Sequence, residues 1–125
     1  MKFPFKIHAK AVVIGLVTGF VLGILIGPLE TALTFGASLS ATPLHIVSLT
    51  FGSLATVFAA YLTARKAPSD KLANVLTFWA ISELLGILSM FVLPFPLWYN
   101  LVGAISIFVA SLLGWYLEKL APDSI

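Results

Sequence analysis

The chain contains no cysteine and very little charge. Without cysteine there are no disulfides, no thiolate metal sites and no dithiol redox chemistry. Only 10% of the 125 residues are charged and 60% are hydrophobic, against about 25% and 45–50% in an ordinary soluble domain. Small domains have too much surface for their volume to hide so much apolar matter from water. With a mean hydropathy of +1.08, the chain is expected to have lipid as its solvent. The formal charge of +2 is too small to point to a nucleic acid. Signature motifs are lacking too: no zinc-protease helix pair, nucleophile elbow, phosphate-binding glycine loop or nucleotide fingerprint occurs. Acids and histidines are too few for a metal centre of standard type. The expectation is a non-enzyme without metal or cofactor; catalysis would need residues from a partner.

What is present is a set of long apolar runs. A bilayer core about 30 Å thick takes roughly 20 apolar residues per helix. Four segments qualify: residues 9–34, continuing past Pro28; 43–64; 72–93; and 97–117. Backbone polar groups in lipid must be satisfied internally, and these runs lack the alternation of barrel strands. They are therefore read as helices. Pro43 suits a helix start, where a missing N–H costs nothing. Ala67-Pro68-Ser69-Asp70 reads as a turn with Asp70 as helix cap, and Pro94-Phe95-Pro96 as a second, stiff turn. A signal peptide is the rival reading of residues 1–27, but the run is long for one and no small-x-small cleavage site follows it.

Orientation follows from the basic residues. Lys2, Lys6 and Lys10 lie before or at the very start of the first run, Arg65, Lys66 and Lys71 separate the second and third, and Lys119 follows the fourth. All seven fall on one side, and basic loops stay in the cytoplasm. Trp98 and Tyr99 would mark the outer interface, and Tyr61, Trp115 and Tyr116 the inner one. The expected fold is an all-α membrane protein of the cell membrane: a single domain over residues 1–125, four transmembrane helices, both termini cytoplasmic.

Small residues supply helix faces. Gly15, Gly19, Gly23 and Gly27 recur at four-residue spacing, making a nearly continuous groove on the first helix. Ser48, Gly52, Thr56, Ala60 and Ala64 do the same on the second. Gly86 lies on the third helix, and Ser106, Ala110 and Gly114 lie on the fourth. Membrane helices associate through such faces without a hydrophobic drive. The faces serve either packing within the chain or a seam with a second copy or a partner subunit.

Glu83 stands apart. It lies near the middle of the third run, roughly 15 Å from either end, where an ionisable group costs at least ~2.5 kcal/mol. No other charged residue lies in the middle of a run, and no Lys, Arg or His matches its depth. Three states are open to it: protonated and hydrogen-bonded across a helix interface, ionised and holding a cation or cationic substrate, or paired with a base on another subunit. By depth its neighbours are Thr18, Ser53, Thr56 and Ser106, with Trp79 one turn away on its own helix. His45, at the outer start of the second helix, is expected to be solvated. His8 lies on the opposite side.

The run Phe58-Ala59-Ala60-Tyr61-Leu62-Thr63-Ala64-Arg65-Lys66, followed by a short polar turn and a third apolar helix, resembles a pattern in small uncharacterised prokaryotic four-helix membrane proteins. These often have a glycine-lined first helix as well. The resemblance implies an architecture and no defined activity. The chain departs from the small multidrug-resistance transporters, whose essential glutamate sits on the first helix. Two functions follow as expectations. The first is a non-enzymatic accessory subunit or self-associating module in contact with lipid and with a copy or partner. The alternative is a minimal homo-oligomeric transporter coupled to a proton or cation through Glu83.

Overall fold

A computed structural model describes residues 5–33, 42–92 and 95–121, with backbone alone for 30–33 and 42–43. Four helices make up the described chain: α1 Ala9–Leu33, α2 Thr42–Lys66, α3 Lys71–Ser89 and α4 Leu97–Leu120. Each is long and apolar enough to cross a membrane. Their outward side chains, among them Val17, Val21, Ile24, Leu54, Leu84 and Ile105, are exposed, as suits a surface wetted by lipid. Helix α1 runs on through Pro28 as expected. Residues 34 and 93, the Pro94 corner, Lys2 and the tail from Pro122 lie outside the described residues.

Three helix ends differ by two residues or more from those read in the sequence. Helix α2 ends at Lys66 rather than 64 and α4 at Leu120 rather than 117, because basic side chains near their ends satisfy or suit the terminal carbonyls. Helix α3 ends at Ser89, short of 93. There the ladder tightens to three-residue bonds: Met90 N donates to Ile87 O at 3.1 Å, Phe91 N to Leu88 O at 3.3 Å and Val92 N to Ser89 O at 3.0 Å. The Ser89 hydroxyl also donates to Gly86 O at 2.7 Å, competing with the regular pattern.

Helix α2 is the hub. It packs closely on α4 and on α1 and more lightly on α3, while α1 and α4 do not touch among the described residues. The reason is the small-residue face of α2. Ala59, Ala60, Thr63 and Ala64 are completely buried and let backbones approach from both sides. A Cβ on Gly15 of α1 would overlap Thr63 Oγ1 and stand 3.2 Å from Ala59 O. On the other flank, a Cβ on Gly114 of α4 would stand 2.5 Å from Val57 O and 2.9 Å from Tyr61 N. Val12, Val75 and Phe78 complete this core, with Leu16, Ile81 and Trp115 packed against it.

The continuous glycine groove expected on α1 is not continuous. Gly19 makes ordinary contact with Ala59 Cβ at 3.8 Å, and a Cβ on Gly23, Gly27, Gly52 or Gly86 would meet nothing within 4 Å. The stripes on α1 and α2 share a face only where Gly15 meets Ala59 and Thr63. Beyond that level they flank open space. The bundle is therefore tight at the basic end and open at the other.

Replacing Gly114 by leucine should destabilise the protein by about 3 kcal/mol or more, since the side chain meets rigid backbone. Gly86→Leu should leave stability nearly unchanged. Thermal unfolding in detergent separates the two, and equal melting of both variants would contradict the close approach of α4 to α2.

Candidate functional site

Between the open halves of the four helices lies a recess of about 670 Å³. Its floor, toward the basic end, is formed by Leu16, Ala59 and Phe78, the edge of the packed core. Helix α1 contributes Gly19, Phe20, Gly23 and Ile26 to the walls, and α2 contributes residues from Ser48 to Thr56. Helix α3 adds Ser82, Glu83 and Gly86, and α4 adds Tyr99, Gly103, Ser106 and Ile107. The wall is apolar apart from a few hydroxyls, one amide and one carboxyl.

That carboxyl is Glu83. The residue is half-buried, with Oε1 withdrawn from solvent and reached by no hydrogen bond. Ser53, Thr56 and Ser106, grouped with it by depth, line the same recess. None supplies a bond to Oε1, and the Thr56 hydroxyl turns to its own helix, donating to Gly52 O at 2.8 Å. Thr18 does not reach the recess wall; its hydroxyl donates to Ile14 O at 2.7 Å. Trp79 also lies outside the wall. Its ring packs edge-on to Phe108 at 5.0 Å, and its Nε1 is buried without an acceptor. The four-residue step from Trp79 to Glu83 thus places two unsatisfied polar atoms one helical turn apart. Of the glycines, Gly19, Gly23, Gly52, Gly86 and Gly103 border the recess, whereas Gly15 and Gly114 belong to the core and Gly27 to neither.

Sequence reading missed two polar clusters that hold the ends of the bundle. At the basic end, Asn74 is fully buried. Its Oδ1 accepts from His8 N at 2.7 Å, and its Nδ2 donates to Lys6 O at 3.0 Å and Asp70 O at 2.9 Å. Lys6 N donates to Asp70 Oδ2 at 2.8 Å, and His8 Nε2 lies 3.0 Å from Ser69 Oγ. The segment before α1 is thereby strapped to the α2–α3 turn. Asp70 does not cap α3 with its side chain, contrary to expectation. It takes a left-handed conformation with φ 49°, which aspartate tolerates, and its carbonyl accepts Asn74 N at 3.0 Å.

Beside this strap, Glu118 is buried against two bases, with Oε1 3.7 Å from Arg65 Nη1 and 3.4 Å from Lys71 Nζ. Lys71 also donates to Ala64 O at 2.7 Å and Ala67 O at 2.9 Å, satisfying carbonyls at the end of α2. The only sequence signal was an acid placed one residue past the expected end of α4.

At the opposite end His45 is buried rather than solvated, 1% exposed. Its ring packs against Phe95 at 5.7 Å, Trp98 at 5.5 Å and Tyr99 at 5.1 Å, and Ser48 Oγ lies 2.8 Å from the Tyr99 hydroxyl. These aromatics join the start of α4 to the start of α2. Phe95 and Tyr99 also line the recess.

The chain matches no protein-family model, no curated protein and no solved structure.

Asn74→Leu, which removes the bonds that strap residues 6–8, should accelerate amide exchange at His8 about tenfold or more. It should leave exchange in the middle of α4 unchanged. Unaltered protection of His8 would show that the strap does not depend on Asn74.

Proposed function

We propose that the protein is a non-enzymatic membrane protein that binds a small lipophilic molecule in the recess among its four helices and carries it across the membrane as a minimal transporter. One observation carries this reading: an apolar recess bounded by all four helices whose wall holds a carboxyl oxygen with no partner. Ligand sites are typically concave, apolar and of about 300–1,000 Å³, with a few polar groups that orient the ligand, and 670 Å³ falls in that range. The size also weighs against a partner helix as occupant. A helix about 10 Å across fills on the order of 400 Å³ per turn. The recess thus holds fewer than two turns, where a spanning segment has more than five.

The basic residues at one end support an orientation with both termini and the α2–α3 turn in the cytoplasm of a cell membrane. The recess then lies in the outer half and the closed, ion-paired end faces inward. The absence of native cysteine makes this simple to test. A membrane-impermeant maleimide added to intact cells should label Ser38→Cys, between α1 and α2, and spare Ser124→Cys in the tail. The reverse pattern would invert the assignment.

A Cβ at Gly52 meets nothing within 4 Å, so the ring of Gly52→Phe enters the recess without disturbing the core. In zwitterionic nanodiscs, 1-bromoadamantane should quench tryptophan fluorescence saturably in the wild type. In Gly52→Phe it should only partition, giving a linear response. Linear quenching in both would remove the ligand-binding reading. The second reading, a self-associating or accessory module, rests on the open space beside Gly23 of α1. It takes precedence if Gly52→Phe spares quenching but dissociates the assembly on native gels.

A further inference from the structure

We infer that the recess selects a lipophilic amine: a compact hydrocarbon body with a protonated nitrogen that donates an N–H to Glu83. This rests on the ligand-binding reading above and specifies its chemistry.

The polar groups of the wall fall into two sets. Most are satisfied by the protein itself. Ser48 pairs with Tyr99 at 2.8 Å, and Thr56 and Ser89 donate to Gly52 O at 2.8 Å and Gly86 O at 2.7 Å. The Asn100 amide donates to Pro96 O at 3.4 Å. Ser53, Ser82 and Ser106 make no hydrogen bond either, but among the lining side chains only Glu83 has a polar atom, Oε1, that is both buried and without a donor. The lining contains no Lys, Arg or His, so the wall carries an acid and no base. A lone carboxylate in a poorly hydrated site is costly unless a positive charge and a hydrogen bond meet it. The occupant must bring both.

A bare metal ion does not fit. Hard cations take six or more oxygen ligands, and among the described residues no three acidic or histidine side chains converge. The walls instead suit an organic cation. Leu16, Ile26, Leu49 and Ile107 offer hydrocarbon contact, and Phe20 and Phe78 add aromatic rings, a residue type that attracts cations. The unpartnered oxygen distinguishes among organic cations: a quaternary nitrogen supplies charge but no donor, an alcohol supplies a donor but no charge, and a protonated amine supplies both.

The test uses three probes on one adamantane body: 1-adamantanemethylamine, its trimethylammonium analogue and 1-adamantanemethanol. Each competes with 1-bromoadamantane for wild-type protein in zwitterionic nanodiscs, read as recovery of tryptophan fluorescence. The amine should act at a concentration at least about tenfold below the other two, as a charge-assisted hydrogen bond requires. In Glu83→Gln the three probes should converge while 1-bromoadamantane still saturates. Glu83→Asp should keep the amine first in rank. Equal competition by amine and alcohol in the wild type, or an amine preference that survives in Glu83→Gln, would overturn the assignment to Glu83. Equal competition by amine and trimethylammonium would overturn the N–H requirement. If 1-bromoadamantane fails to saturate even in the wild type, the recess binds no small lipophile and both readings fall together.

Discussion

The structure depends on how closely two helices approach the small face of a third. Ala59, Ala60, Thr63 and Ala64 leave α2 almost without side-chain bulk over two turns. Gly15 and Gly114 remove the bulk that would otherwise hold α1 and α4 away. In lipid, where apolar side chains gain nothing by leaving the solvent for each other, dispersion between closely apposed backbones is what remains to hold helices together. That contact is confined to one end. The rest of the architecture follows: α3 closes the core through Val75 and Phe78, and the four helices then diverge around the recess.

Polar groups secure what packing begins. At the tight end Asn74 gathers the segment before α1 and the α2–α3 turn into one bonded unit, and Glu118 draws Arg65 and Lys71 toward α4. At the open end contact passes through aromatic rings around His45. Hydrogen bonds in a poorly hydrated environment are directional and costly to leave unmade, whereas ring packing tolerates sliding. The two ends are built from different kinds of interaction, and the unsatisfied oxygen of Glu83 lies between them.

The four helices were legible because lipid limits the options: an apolar run long enough to cross, and without the alternation of a barrel strand, is left with a helix. Glu83 stood out for the same reason, since no other charged residue lies in the middle of a run. The glycine spacing of α1 was legible as a stripe but not as a contact. Periodicity shows which residues share a face, but it does not show over what length another helix follows that face. Asn74, Glu118 and His45 escaped because polar residues near helix ends ordinarily face headgroups or water. Their burial arises from neighbours far along the chain, Lys6 and His8 for Asn74, Arg65 and Lys71 for Glu118, Phe95 and Tyr99 for His45, and local pattern does not reveal such pairings.

The uneven placement of the glycines divides the chain by its tolerance to change. Gly15 and Gly114 have no room for any side chain, so mutation there is closed off. Gly23, Gly52 and Gly86 border open space, and each can accept a range of side chains that project into the recess without touching the core. Drift at those three positions would reshape the lining and leave the bundle intact. Descendants of such a chain could differ widely in what they hold while remaining superimposable at the end where their helices meet.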